Sequence, residues 1–223
     1  MNPHKICFIT CVNDEKLYRE SLLYIQNLIL PEQFEMEVIE IKDAEYITKE
    51  YNSAMQSSDA KYKVYLHQDV LIINKRFILD IVDLFNSNKE VGMIGIAGSG
   101  QIPINGVWWE SQQNYGKVYD SHTGRMKLLS FQEVSGDYQS AQCIDGLIMI
   151  TQYDLPWRDD LFTGWHFYDL SQSIEFIRAG YKVGVPKQVE PWCIHDSGVV
   201  NISNGYDAYR QVFLAEYAKD IFP

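Results

Sequence analysis

The stretch YKVYLHQDV, Tyr62 to Val70, joins a short aromatic and β-branched run to three polar residues, His67, Gln68 and Asp69. Such a run reads as a buried strand that hands polar side chains to the edge of a sheet, the place where α/β proteins bind ligands. The same residues also suit a strand followed by a polar turn, with Asp69 capping a helix that starts near Lys75.

The preceding sequence supplies neighbours for that strand. KICFITCV, Lys5 to Val12, is near-continuously apolar, as a central parallel strand covered on both faces should be. Asn13 and Asp14 can cap a helix whose apolar positions Leu17, Tyr24, Ile25 and Leu28 recur at helical spacing and which Pro31 closes. EMEVIEI, Glu35 to Ile41, reads as a second strand, KDAEYITKEYNSAMQSS largely as a second helix, and YKVYLH as the third strand. Phe77, Ile81 and Phe85 beside Ile78 and Val82 mark a third, amphipathic helix. VGMIGIAG, Val91 to Gly98, reads as a fourth strand opening into a glycine-bearing loop. Residues 1–98 therefore predict the nucleotide-binding half of a Rossmann-like, doubly wound α/β fold.

The character changes after Gly98. GSGQIPINGVWWESQQNYG reads as a long polar loop, and GKVYDSHTGRMKLLSF as a hairpin turning at His122 to Gly124. Asp145 and Gly146 interrupt the strand-like QCIDGLIMIT; a loop from Pro156 to Asp160 precedes a helix from about Tyr168 to Ala179, ended by Gly180. YKVGVP predicts a last short strand, Trp192 to Gly198 a polar and aromatic turn, and AYRQVFLAEYAKDIF a C-terminal helix. With no repeat or linker visible, residues 99–223 are expected to complete one domain spanning 1–223 and to carry acceptor specificity.

A hydrophobic fraction of 46% and a charged fraction of 22% predict an ordinary globular core rather than disorder. The formal net charge of -11, without a visible basic patch, argues against nucleic-acid or anionic-membrane partners. A phosphate-bearing ligand would need a divalent cation or backbone amides to offset its charge. Cys7, Cys11, Cys143 and Cys193 follow no zinc or redox spacing and read as reduced thiols, Cys7 and Cys11 on one strand face. No segment approaches the roughly 20 apolar residues of a membrane span, and MNPHKICFIT lacks a signal-peptide layout, so a cytoplasmic protein is expected.

Three polar clusters are predicted to meet at one sheet edge: His67 to Asp69, Trp165 to Asp169, and His195 to Asp196. Asp69 and a distant His195 could share a divalent ion, the imidazole suiting Mn²⁺ better than Mg²⁺, and the Asp of the remaining cluster, Trp165 to Asp169, could serve as general base. Each has a structural alternative. His195 and Asp196 suit a turn, His67 and His166 suit packing or local hydrogen bonds, Asp169 suits a helix cap, and Arg158 could pair with Asp159 or Asp160 or reach a phosphate. Trp108, Trp109, Trp157, Trp165 and Trp192 could be core, or indoles on which sugar rings stack.

In this order and spacing, NSAMQSSDAKYKVYLHQDV and GWHFYDLSQSIEFIRAGYKV resemble a family 2 glycosyltransferase with the GT-A fold, specifically the short glycosyltransferase-like domain also found in proteins related to streptomycin biosynthesis. The likeness runs from Ile6 to about Gly198 and implies a mixed sheet flanked by helices with a smaller acceptor-side β and loop region. It also implies a nucleotide-sugar donor, a UDP-sugar being expected, and a carbohydrate or other hydroxyl acceptor. His67, Gln68 and Asp69 fall on the Asp-x-Asp metal motif, with Asp69 on its second carboxylate and His67 replacing the first. Asp169 falls on the catalytic base, with Tyr168 replacing a preceding Glu and Ser171 a following Asp. His195 falls near the histidine that completes the metal site in many relatives. Thr10, Cys11, Asn13, Asp43 and Gln68 match nucleotide-contacting regions; Asp145 and Gly146, together with Trp165, His166 and Arg158, match the sugar and acceptor side.

The implied mechanism is an inverting single displacement with a divalent ion, Mn²⁺ before Mg²⁺, at Asp69. His67 and Tyr168 in place of acids keep open a non-catalytic nucleotide-sugar or glycan-binding protein. A nucleotidyltransferase is disfavoured by the lack of a glycine-rich basic loop after the first strand.

Overall fold

The computed structural model describes residues 1–199 and 204–222. Its first half alternates strand and helix: β1 (Asn2–Val12), α1 (Glu15–Gln26), β2 (Glu35–Lys42), α2 (Ile47–Ser57), β3 (Ala60–Leu66), β4 (Val70–Ile72), α3 (Phe77–Ser87), β5 (Val91–Gly95) and β6 (Ala97–Ser99). The second half is richer in short strands: β7 (Asn114–Asp120), β8 (Lys127–Ser130), β9 (Tyr138–Ser140), β10 (Cys143–Ile144) and β11 (Ile148–Thr151). It closes with α4 (Tyr168–Arg178), β12 (Lys182–Pro186), β13 (Cys193–His195) and α5 (Tyr206–Ile221).

A seven-stranded sheet runs in the order β2-β1-β3-β11-β5-β12-β9. β2, β1 and β3 are parallel, whereas β11 enters antiparallel between β3 and β5. The expected apolar continuity of β1 has its cause in this position. Ile6 and Phe8 enter a core with Tyr62, Val64, Leu66 and helix α3, while Cys7 and Ile9 enter a second core with Tyr65, α2 and α4. A second sheet, β10-β6-β7-β13-β4 with β8 on β7, packs short strands from both halves together.

Several sequence expectations change. Trp192 to Gly198 is not only a turn, because Cys193–His195 form β13 between β4 and β7, so YKVGVP is not the last strand. VGMIGIAG is two strands in two different sheets, because β6 pairs with β7 and β10 rather than continuing beside β11. Gly98 permits this: a Cβ there would collide with the Cys143 carbonyl oxygen. Helix α1 is capped by Asp14, which accepts from the Lys16 and Leu17 amides at 2.9 and 3.2 Å, but it ends at Gln26, short of Pro31. Its buried face is Tyr18, Ser21 and Ile25, and the Ser21 hydroxyl donates to the Val70 carbonyl at 2.6 Å. A serine on the buried face is what hides that stripe from hydrophobic periodicity. All four cysteines are free; Cys7, Cys143 and Cys193 are buried, and Cys11 is half-buried on the face it shares with Cys7. No helix among the described residues is long and apolar enough to cross a membrane.

One charge sits inside the main sheet. The Lys63 ammonium, fully buried on β3, donates to the Ala60 carbonyl at 2.8 Å and to both Asp154 oxygens at 2.8 and 3.0 Å. Removing its partner strands a buried cation, whereas replacing it with a hydrophobe does not. Asp154→Ala should therefore cost about 3 kcal/mol and Lys63→Met clearly less, as read by urea denaturation.

Candidate active site

Strand order reverses between β1 and β3, so the loops at their carboxyl ends part and leave a crevice. A cleft of about 770 Å³ opens there, lined by Cys11 and Asn13 after β1, Asp43 after β2, His67, Gln68 and Asp69 after β3, and Trp165 and Tyr168 at the start of α4. Gln68 fixes the mouth. Its Oε1 accepts from the Asn13 and Asp14 amides at 2.9 Å each, and its Nε2 donates to Asn13 Oδ1 at 2.5 Å.

The second sheet brings His195 to the same place. β13 pairs antiparallel with β4, setting His195 opposite Val70, and parallel with β7, setting His195 opposite Asp120. The Asp196 amide donates to the Asp69 carbonyl at 2.9 Å, locking the two loops together. His195 Nε2 then lies 3.5 Å from His67 Nδ1 and 3.6 Å from Asp69 Oδ1. One ligand atom from each of the three residues falls within 4.8 Å of the others. Asp69 Oδ1 is buried and has no hydrogen-bond partner. A carboxylate oxygen left so beside two imidazole nitrogens suits a divalent cation, and the mixed N,O set suits Mn²⁺ over Mg²⁺.

Electrostatics sort the two imidazoles. Burial and the neighbouring His195 hold His67 below its ordinary value, keeping it neutral. Burial also disfavours charge on His195, but the hydrogen bond to Asp120 and the charges of Asp69 and Asp145 outweigh it and raise the ring. Asp120 loses solvation yet is pulled down to about 2 by its bonds to His195 and His122.

Across the cleft, Phe167 adopts a left-handed conformation at φ +63° and turns the chain into α4. The first two helical residues follow at once. The Tyr168 hydroxyl lies 2.7 Å from His67 Nε2, so the start of α4 touches the end of β3 across the cleft. Asp169 Oδ2 accepts from the Gly146 amide at 3.0 Å. A Cβ at Gly146 would overlap the Tyr168 hydroxyl, so a side chain there would have to displace that ring from His67. Burial, reinforced by the Asp145 charge, pushes Asp169 up to about 7.

The remaining sequence candidates divide. Trp165 is 42% exposed on the cleft. His166 bonds Asn204 and packs edge-on against Tyr206. Asp145 Oδ1 accepts from the Leu147 amide at 2.8 Å, shaping the turn that holds Gly146. Thr10 is buried within β1 and does not line the cleft. Arg158 is turned away from the cleft lining and bound to Asp160, Glu175 and Glu216. Trp108, Trp157 and Trp192 are core, while Trp109 is exposed. Lys42 and Asp120 are the residues that sequence reasoning missed. Lys42 is a cation on the cleft already paired with Glu15 and Glu40, and Asp120 reaches His195 only through a long-range strand register. A second cleft of about 740 Å³ is lined by Trp192, Asp80, Asp83 and Lys187, but no trio of potential metal ligands converges there among the described residues.

Residues 7–217 match the model of a family described as glycosyltransferase like. The chain belongs to that family, and its fold is GT-A. It is similar to the mannosyltransferase PcManGT from Pyrobaculum calidifontis in complex with GDP-Man and Mn²⁺, with 12% identity, a TM-score of 0.58, and coverage of 99% of this chain and 64% of that one. S. aureus TarS 1–349 in complex with UDP-GlcNAc shares 10% identity at a TM-score of 0.64, over 96% of this chain and 66% of that one. The UDP complex of TarS 1–349 gives a TM-score of 0.60 at 10% identity, over 95% and 64%. The chain thus spans about two thirds of the length of these structures, and at such identities the likeness is one of fold. No curated protein matches it in sequence.

Asp169 also carries a stability signature. Its folded value of about 7 lies above the ordinary 3.8, so between those values the folded chain holds a proton that the unfolded chain has released. Its stabilising contribution is complete below 3.8 and is lost as pH rises through about 7. Asp169→Asn should remove this slope and raise the melting temperature on the alkaline side of the window, measured by calorimetry across it.

Proposed function

We propose that the protein transfers a sugar from a nucleoside diphosphate donor, a UDP-sugar in our reading, to an acceptor hydroxyl by an inverting, metal-dependent displacement. The observation that carries this is the buried, unpartnered Asp69 Oδ1 converging with the His67 and His195 nitrogens at the nucleotide cleft. Charge supports it. Glu15, Asp43 and Asp69 line the cleft, and its cation Lys42 is already paired, so a diphosphate meets a negative surface. Residues Asp69, His195 and His67 would hold a divalent ion, Mn²⁺ before Mg²⁺. When bound, that ion supplies Lewis-acid stabilisation of the charge growing on the departing diphosphate.

The chain's own residues do the rest. The loop Cys11 to Asn13 and Asp43 flank the nucleotide, and Gln68 keeps that loop in shape. Trp165 and the Asp145–Gly146 turn border the sugar and acceptor. Asp169 accepts the proton of the acceptor hydroxyl as its oxygen attacks the anomeric carbon, and a carboxylate poised at about 7 is matched to neutral conditions. Direct attack by the acceptor oxygen, with the diphosphate leaving from the opposite face and no covalent intermediate on the protein, inverts the anomeric configuration. The GDP-Man, UDP-GlcNAc and Mn²⁺ complexes of the similar structures support a nucleotide sugar and a metal.

Mn²⁺ with UDP at about 100 times its Kd should stabilise the protein by about 2.7 kcal/mol, seen as a thermal shift that Asp69→Ala abolishes. Absence of a shift with every divalent ion and nucleotide diphosphate would sink the proposal. Asp169→Asn should lower transfer at least ~100-fold while keeping the shift. Donor binding in the wild type without transfer or donor hydrolysis would turn the reading into that of a binding protein.

A further inference from the structure

His195 has an inner nitrogen facing Asp69 and His67 and an outer nitrogen facing Asp120, so its usefulness as a ligand depends on where one proton sits. The outer contact settles that. His195 Nδ1 is 2.8 Å from Asp120 Oδ2, and an ionised carboxylate can only accept. The ring must therefore donate from Nδ1, which leaves Nε2 bare in the neutral form. Tyr168 gives His67 no such instruction, because a hydroxyl 2.7 Å from His67 Nε2 can either donate or accept.

We infer that Asp120 is a positioning residue of the proposed metal site, fixing the His195 tautomer so that Nε2 turns its lone pair towards Asp69. The inference rests on the metal reading above and adds to it a residue outside the family motif. Two features suit Asp120 to the task. It is buried at the end of β7, in direct strand register with His195. Its other oxygen is held as well: Oδ1 accepts from the His122 amide at 2.7 Å and contacts the His122 ring. The carboxylate cannot rotate without abandoning a backbone donor.

That second anchor makes Asp120→Asn an informative isosteric change. The amide oxygen must stay with the His122 N–H, so the amide NH₂ turns to His195. It then donates to Nδ1, and the ring proton moves to Nε2, where it blocks the ligand position. The fold is left in place while the lone pair is taken away.

Two measurements test this. Long-range ¹⁵N–¹H spectra of the metal-free protein at alkaline pH should find the His195 proton on Nδ1 in the wild type and on Nε2 in Asp120→Asn. Calorimetric titration with Mn²⁺ should show the variant binding roughly 10–100-fold more weakly, while the metal-free variant still unfolds in one cooperative transition. A wild-type proton on Nε2 overturns the inference whatever the variant does. Equal Mn²⁺ affinity in wild type and variant overturns it alone, whereas a wild type that takes up no divalent ion removes the metal site and this inference together.

Discussion

His195 sits on a strand only three residues long, paired antiparallel with β4 on one side and parallel with β7 on the other. Those two registers set the distances on which the site depends. The β7 register puts Asp120 beside the outer imidazole nitrogen, and the β4 register brings the inner one within 3.6 Å of Asp69. A slip of one residue would turn the imidazole to the other face of the sheet. Neighbouring bonds resist that slip: the Ser121 amide donates to the His195 carbonyl at 3.2 Å, and the Ser121 hydroxyl donates to Asp196 Oδ1 at 2.9 Å. The second sheet, assembled from fragments of both halves of the chain, is thus the frame that holds the ligand geometry while the larger sheet supplies the cleft.

Charge explains why such a frame is needed. With a net charge of -11 and Lys42 already paired, the chain offers little of the positive field that many phosphate-binding proteins use. The diphosphate of the proposed donor would then have to be held through local devices. In the proposed site, two imidazoles and one carboxylate would place less negative charge around an ion than two carboxylates, leaving more of the ion's charge for the ligand. The same imidazole-rich set would favour a borderline metal over Mg²⁺, so the proposed ligand set and the acidic surface act in one direction.

The parts of this arrangement legible in the sequence are the local ones. β1 is a near-continuous apolar run because it is buried on both faces, and HQD follows the aromatic and β-branched end of β3 directly, so the cleft residues Asn13, His67 and Asp69 could be read from adjacency to a strand end. The split of VGMIGIAG could not, because β6 leaves the larger sheet for partners more than ten residues away. Asp120 was invisible for the same reason; in VYD it is one polar residue ending an alternating strand, and only the pairing of β7 with β13 gives it a histidine. Arg158 shows the converse. A lone guanidinium in a loop beside the GWHFYD segment resembles a phosphate ligand until the fold brings Glu175 and Glu216 against it.

The active-site side of α4 costs stability that the rest of the fold offsets. Phe167 is held in a left-handed conformation uncommon for a bulky residue, and Asp169 is kept where its ionisation is disfavoured. Both follow from one requirement: the first turn of α4 must face the cleft so that Tyr168 reaches His67 while Asp169 reaches the Gly146 turn. Gly146 makes the approach possible by having no Cβ, and a buried aromatic cluster of Tyr51, Tyr65, Trp157 and Tyr168 holds the helix against the sheet. A helix docked this firmly can sustain an unfavourable backbone angle and a desolvated carboxylate at its first turn. The Tyr168 hydroxyl thus reaches His67 from the same first turn that carries Asp169, which sets the proposed base next to the residue that touches a proposed metal ligand.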